Sequence, residues 1–367
     1  MTALQKYFPL IKSRKELVKT IQENKELNGI YCEWKKEQQE EFLDFCTGVR
    51  GVKLLYDSFF KEIMNPEYVP ERMNEFLSLL LGQEVTVLAV LPNDTTRIAD
   101  ESSLLVTDLV VSLGDGSLAN LEVQKIGYLF PGERSACYSS DLLLRQYKRI
   151  RGMRKKKFSY KDIKNVYTIV LFENSPKVFQ QFPQKYFHMF EQKSDTGLEL
   201  NLLQKYIFIP LDIFKRVRQN KGIKGKLEAW LTFLSSDEPE DIVRLITDYP
   251  EFKVIYDEVY NLCLNVEKVM EMFSKELKEL DQNTVQLMID EMQEEIDSQK
   301  RALSSKDAEL ESKDVEIESQ KKEIEFKDEK LASKDVEIKS QRKELESKDN
   351  RIRELEEKLK AFTKEMV

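Results

Sequence analysis

Ile296, Leu303, Leu310, Ile317, Ile324, Leu331, Ile338, Leu345, Ile352 and Leu359 recur every seven residues without a slip. Glycine and proline are absent from that stretch. A seven-residue apolar period keeps one helix face apolar turn after turn, so these residues predict a long C-terminal helix. The second core position of each heptad is different. It holds Gln299, Lys306, Lys313, Gln320, Lys327, Lys334 and Gln341, and only Leu355 and Phe362 restore an apolar side chain. One apolar column per heptad makes a narrow seam. Two readings fit it, a weak or partner-dependent coiled coil and a single solvated helix. SKDVEI occurs at Ser312 and again at Ser333, which marks a low-complexity repeat. From Ile296 to Leu359 such a helix would reach roughly 100 Å at about 1.5 Å per residue.

This tail accounts for a charged share of 34%, above the usual quarter, and leaves the rest of the 367 residues to build a sizeable core. A net charge of −8 argues against a protein that is basic overall but allows a local basic patch. Cys32, Cys46, Cys137 and Cys263 lie far apart without CxxC or zinc spacing, so reduced thiols in a cytoplasmic protein are expected. The N-terminal residues lack a signal-peptide apolar region, and no apolar run approaches a membrane span. The single histidine, His188, cannot support a multi-histidine metal site and is expected to be partly buried and hydrogen-bonded, with a general-base role as the alternative.

Before the tail, residues 1–65 read as helical. Leu10, Ile11, Leu17, Val18 and Ile21 are spaced for one helix face, and Phe42, Leu43, Phe45 and Cys46 continue a second helix toward the Gly48–Gly51 break. A short helix over Leu54–Met64 and a longer one through ERMNEFLSLLL follow, with Gly82 as the stop and Glu75 inside. Val85–Leu91 is a strand, Pro92–Ser103 a polar loop. A helix starts at Pro131 and ends near Gly152. Strands over Asn165–Glu173 and Lys205–Leu211 come next. Residues 216–285 return to helical patterns, with Trp230, Phe233, Ile242, Val243, Leu245 and Ile246 as core candidates. The expected units are therefore 1–65, 66–215, 216–285 and the heptads of 286–367.

Chemistry concentrates in Asp108–Lys125, DLVVSLGDGSLANLEVQK, read as two strands joined by a turn at Gly114–Asp115–Gly116. Each strand carries an acid in apolar surroundings, Asp108 on the first and Glu122 on the second. Gln124 shares the Glu122 face by strand parity and Lys125 points the other way. Two carboxylates and an amide converging from buried strands are costly unless they bind something, and Mg²⁺ is the simplest hard cation for oxygen ligands. The alternative is a wet sheet face on which these acids are merely solvated. Downstream, Arg134 and Tyr138 lie four apart on one helix face. The helix then exits through Arg145, Lys148, Arg149, Arg151, Arg154, Lys155, Lys156, Lys157 and Lys161, with no acid between Leu142 and Lys161. Phosphate-backbone contacts suit this cluster. An ordinary solvated helix end is the plain alternative. Tyr147, Phe158 and Tyr160 are expected to be buried, with stacking on bases as the alternative.

The order helix, three strands, helix, strand, with Asp108 on the second strand and Glu122-x-Gln124 on the third, resembles the PD-(D/E)XK nuclease core, a restriction-endonuclease-like α/β fold. Runs such as LDFCTGVRGVKLLYDSFFKEIMNPEYVPERMNEFLSLLL, VLPNDTTRIADESSLLVTDLVV, DGSLANLEVQKIGYLFPGERSACYSSDLLLRQYKRIRG and FSYKDIKNVYTIVLFENSP resemble the PD-(D/E)XK nuclease family transposases, allied to the recombination-promoting nucleases. The resemblance extends over about residues 1–270. It leaves a helical N-terminal extension before the core and a long C-terminal coiled coil after it.

The resemblance implies metal-dependent endonucleolytic cleavage of DNA with Mg²⁺ or Mn²⁺. It makes Asp108 and Glu122 the metal-binding acids, adds the backbone carbonyl of Val123, and leaves Glu75 as a candidate further acid. Gln124 stands where the wider superfamily has lysine. It can orient a water or phosphate oxygen but carries neither charge nor a labile proton. Arg134 would hold the scissile phosphate with Tyr138 assisting. Arg145, Lys148, Arg149, Arg151, Lys155, Lys156 and Lys157 would contact DNA. With no base-reading motif, low sequence specificity is expected, and the coiled coil would pair two copies as a homodimer away from any membrane. The alternative function is a catalytically inactive nuclease fold that acts as an interaction protein through its tail. An RNA substrate would use the same phosphodiester chemistry.

Overall fold

Ser13 opens the first α-helix. Its side chain accepts from the Glu16 amide while Glu16 accepts from the Ser13 amide, a capping box ahead of α1 (Arg14–Glu23). The computed structural model describes residues 2–91, 109–127, 129–219 and 221–365. Asn24 caps α2 (Lys25–Glu33), and α3 (Lys36–Cys46) stops just before Gly48, whose φ is +67°. Leu17 and Ile21 are buried on the face their spacing predicts. Leu10 corrects that reading: it precedes α1 and is exposed, since the helix begins only after Ser13. Next come α4 (Asp57–Ile63) and α5 (Pro70–Leu81), which starts on proline and ends at Gly82 with φ +64°, the left-handed stop that glycine adopts without strain.

The strands form a mixed six-stranded sheet, in the order β1-β2-β3-β4-β6-β5 among the described residues. β1 (Val87–Leu91), β2 (Leu109–Leu113) and β3 (Leu118–Gln124) are antiparallel neighbours. In the β2–β3 turn, Gly116 has φ +88°, and the Asp115 carboxylate accepts from the Ser117 amide at 2.8 Å and hydroxyl at 2.9 Å. After β3 the chain crosses through α6 (Pro131–Arg154) and returns as β4 (Val166–Phe172), parallel to β3. β6 (Gln204–Pro210) lies parallel to β4, and the three-residue edge strand β5 (His188–Phe190) pairs antiparallel with β6. The sequence reading lacked β5. His188 is half-buried, with Nε2 3.2 Å from the Lys185 carbonyl and its ring 5.2 Å from Phe179.

Strand alternation sends the two faces of the sheet to different partners. Val111, Leu113, Ala119, Leu121, Ile169, Leu171, Ile207 and Ile209 join one large core. That core also takes Phe42, Phe59 and Phe76 from the N-terminal helices. It takes Trp230 from α8 (Lys226–Ser235), Leu245 from α9 (Pro239–Asp248), Tyr256 from α10 (Glu251–Leu264) and Phe273 from α11 (Val266–Glu365). Each such buried side chain contributes about 1.5–3 kcal/mol relative to exposure. The helices on either side of the sheet in sequence thus fill one shared interior. α7 (Leu211–Arg218) follows β6 directly. On the opposite face Val110, Leu118 and Val166 pack beneath Leu142 of α6.

By contacts the chain divides into units 1–291 and 292–367. In the second unit the described part is helical, and its heptad column is exposed: Leu303 60%, Leu310 58%, Leu331 60% and Leu345 60%. Pairs such as Lys327–Glu323 and Lys348–Glu344, both 2.7 Å, run along the same helix. Among the described residues no helix is long and apolar enough to cross a membrane.

Candidate active site

Three consecutive polar side chains on one face of a buried strand are the chemical anomaly of this fold. Leu118, Asn120, Glu122 and Gln124 share the α6-facing side of β3 by parity, while Val123 between the last two packs toward the large core. Asn120, Glu122 and Gln124 are 0%, 3% and 4% exposed. In register they lie beside Thr168, Val170 and Phe172 of β4. Asn120 Nδ2 donates to Glu122 Oε2 at 3.3 Å. Both side-chain polar atoms of Gln124, the Asn120 Oδ1 and the Thr168 hydroxyl have no hydrogen-bond partner among the described residues. An unmet buried polar group costs about 1–3 kcal/mol, so a strand that lines up several is built for a purpose other than stability.

α6 covers this row, and its sequence suits the task. Ser135, Tyr138, Ser139, Leu142 and Gln146 are its buried residues, a helical repeat of three and four. The serines are small enough for the helix to lie close over polar strand residues. Ser139 Oγ accepts from Gln204 of β6 at 3.1 Å, and Gln146 accepts the Lys164 amide at 2.7 Å. Pro131 sets the first turn, which delivers Arg134 to the site. Its Nη2 is 3.9 Å from Glu122 Oε1, and its guanidinium lies 5.3 Å over the buried Tyr138 ring. The cation thus faces the carboxylate while the side chain as a whole remains about a third exposed.

The other sequence-derived candidates are distributed as follows. Asp108 lies outside the described residues. Glu75 on α5 accepts from the Trp230 indole N–H at 2.8 Å and pairs with Lys226 at 3.4 Å, both on α8. It lines a cavity of about 350 Å³ with Arg72, Glu251 and Phe252. Lys125 points away from Glu122, as parity predicts. It ion-pairs with the buried Glu276 of α11 and sits 5.3 Å over the Tyr56 ring. Arg145 is tied to Asp141 one turn earlier at 2.6 Å. Lys148, Arg149, Arg151, Lys155, Lys156 and Lys157 are exposed, and none has a salt bridge among the described residues.

Sequence reasoning missed Asn120, Thr168 and Glu276. Asn120 was visible as the third member of the alternating Asn120–Glu122–Gln124 set. Thr168 and Glu276 come from elements distant in sequence and left no local signal. Among the described residues no three His, Cys, Asp or Glu side chains form a metal-sized group. The donor set nonetheless fits a hard cation in kind. Glu122 is a buried carboxylate, Gln124 supplies an uncommitted amide oxygen, and main-chain carbonyls of the same strand are hard oxygen donors.

A profile of the PD-(D/E)XK nuclease family transposases matches residues 54–292. The match runs from the segment just before α4, through the sheet and α6, into the early part of α11. No curated protein and no solved structure matches the chain.

Proposed function

The chain belongs to the PD-(D/E)XK nuclease family transposases, and on that premise we propose that it is a divalent-metal-dependent DNA endonuclease of low sequence specificity. Membership itself points to nuclease or transposition-related chemistry and, generally, to divalent metal ions and a DNA substrate. The observation that carries the finer reading is the buried Glu122 carboxylate facing Arg134 beside an uncommitted Gln124 amide.

In this proposal Asp108, Glu122 and the Val123 carbonyl hold Mg²⁺ or Mn²⁺. Asp108 immediately precedes Leu109, and Leu109 pairs with Leu121. When bound, the cation supplies Lewis-acid polarisation of a phosphate and lowers the pKa of an attacking water. Arg134 contributes a fixed positive charge to the scissile phosphate, and Tyr138 holds the guanidinium by lying beneath it. Gln124 orients a water or phosphate oxygen through hydrogen bonds and neither donates charge nor exchanges a proton. Asn120 holds Glu122 by its 3.3 Å hydrogen bond. Glu75, the candidate further acid, also braces α5 on α8 through Trp230 and Lys226. Arg145 and the exposed cations that follow it guide the DNA backbone.

The division of labour proposed is a restriction-endonuclease-like core over 66–215, bracing helices in 1–65 and 216–285, and a tail over 286–367 that pairs two copies as a coiled coil, for double-strand cutting during recombination or transposition in the cytoplasm. The exposed heptad column also favours a second reading, an inactive nuclease fold that recruits a partner through its tail. Supercoiled plasmid incubated with Mg²⁺, Mn²⁺, Ca²⁺ or EDTA separates them. Metal-dependent nicking or linearisation, lost in Asp108→Ala and in Glu122→Ala, is expected. No cleavage with any metal, or equal cleavage by both variants, would move the protein to the second reading.

A further inference from the structure

The far end of α6 carries an arrangement that contacts to a duplex backbone leave unexplained. After Arg154 the chain reverses at Lys155, whose φ is +47°, a conformation that residues with a Cβ rarely adopt. Lys155–Lys157 then form a short 3₁₀ turn, and a second one, Tyr160–Asp162, follows. The second turn is fixed twice: Asp162 accepts the Ser159 amide at 2.9 Å and ion-pairs with Arg154 at 3.3 Å. This reversal stacks Phe158 and Tyr160 back onto Tyr147 of α6. Ring centroids lie 5.5 Å apart for Tyr147–Phe158, 5.3 Å for Phe158–Tyr160 and 6.2 Å for Tyr147–Tyr160, the last pair with planes within 8°. Arg151 donates to the Tyr147 hydroxyl and lies 5.5 Å over its ring. The cluster is not the buried one the sequence led us to expect, because Tyr160 is 75% exposed.

A lone exposed tyrosine needs no explanation. Here the exposed ring is backed by two others, held by a cap and an ion pair, and reached through a strained backbone turn, with Arg151 on the Tyr147 ring behind it and the exposed Lys155–Lys157 just before it in the chain, all without carboxylate partners among the described residues. Cations alone serve a duplex, whose bases are stacked inside. An immobilised ring face within a cationic patch serves bases that are free to stack on it.

We infer that Tyr160, backed by Tyr147 and Phe158, is a stacking platform for unpaired bases, and that the substrate is DNA with a single-stranded segment. This deepens the nuclease reading and rests on it for the word substrate. Arg134 and Arg151 are separated by about 25 Å along α6, so the unpaired segment would lie about that far from the proposed cut.

The test is binding, measured with the full chain in EDTA so that cleavage plays no part. Fluorescence anisotropy would compare labelled oligo-dT of about 20 nucleotides with a hairpin duplex of equal length, for wild type, Tyr160→Ala, Tyr160→Phe and a triple Lys155/Lys156/Lys157→Gln variant. Oligo-dT is expected to bind more tightly than duplex. Tyr160→Ala should weaken dT binding about tenfold, about 1.4 kcal/mol, while changing duplex binding by less than about twofold. Tyr160→Phe should bind like wild type, because the ring face matters and the hydroxyl does not. The triple variant should weaken both ligands and flatten the salt dependence. Equal losses on both ligands for Tyr160→Ala, no preference for dT, or binding to neither ligand would overturn the platform. So would Tyr160-dependent capture of anionic lipid vesicles without binding to dT. Plasmid cleavage is read separately. An inert protein whose dT binding depends on Tyr160 keeps the platform and loses the nuclease, and an active one indifferent to Tyr160 does the reverse.

Discussion

Lys125 and Glu276 form an ion pair beneath the sheet, on the face opposite Glu122, although 150 residues separate them in sequence. Glu276 is 1% exposed, and its second oxygen accepts the Asp57 amide at 2.9 Å. The lysine nearest the Glu122–Gln124 pair is therefore committed to structure, tying the end of β3 to α11. Lys125→Met would strand a buried carboxylate and should destabilise the chain by about 3–5 kcal/mol. The Lys125→Met/Glu276→Met double variant should recover much of that loss, since apolar groups replace both charges. Urea denaturation of the two variants measures it. A Lys125→Met protein of wild-type stability that no longer cuts plasmid would instead place Lys125 in the chemistry.

Gln124 presents the opposite balance. Both of its side-chain polar atoms are buried without a partner among the described residues. Gln124→Met keeps the volume and removes the unmet groups, so it should stabilise the fold by about 1 kcal/mol while lowering plasmid nicking at least tenfold. Thermal melts and nicking rates on the same preparation check the pair. A variant that is less stable than wild type would mean that Gln124 is serving the fold.

Much of this is legible in the sequence alone. Alternation put Glu122 and Gln124 on one face and Lys125 on the other because strand parity is local and exact pairing is not needed to read it. Proline starts and glycine stops located α5 and α6 for the same reason. What the sequence withheld depended on distant segments. Glu75 sat correctly on its helix, but its carboxylate is taken by Trp230 and Lys226, which no local pattern connects to it. β5 is three residues long at a sheet edge, too short for periodicity to show. Tyr160 read as core because aromatic residues usually are. The positive-φ turn at Lys155 that brings it to the surface has no glycine to announce it.

Acid sensitivity should have an identifiable contributor away from the site. Burial pushes the Asp241 carboxyl up, but hydrogen bonds from Arg218 and from Ser236, the latter at 2.7 Å, outweigh it and leave Asp241 below its ordinary value. A depressed carboxyl contributes stability above its unfolded pKa, and that contribution is lost as pH falls through the folded value. Asp241→Asn, which leaves the buried Arg218 without its carboxylate, should cost about 1.5–3 kcal/mol at neutral pH, the range for a charged hydrogen bond at a partly exposed carboxylate. The gap to wild type should close in the acid range below the ordinary aspartate value. Urea midpoints across pH give the curve, and a gap that widens in acid would contradict the assignment.

The tail prediction follows from one exposed column. In the second unit Leu303, Leu310, Leu331 and Leu345 each present about 60% of their surface, while the second heptad position is lysine or glutamine at 299, 306, 313, 320, 327, 334 and 341. A single apolar column gives a seam too narrow for tight pairing, and buried lysines at the other core position weaken it further. The full chain should therefore be a dimer that dissociates on dilution through the micromolar range, and a chain ending at Glu291 should be monomeric and confined to nicking. Lys306→Leu with Lys313→Leu completes two heptads and should tighten association at least tenfold, since each conversion adds apolar area to the seam. Sedimentation equilibrium reads all three. A truncated chain that keeps the mass and the double-strand cutting of the full one would mean that pairing resides in residues 1–291. A full chain that stays monomeric even with both leucines would leave the tail as a single solvated helix.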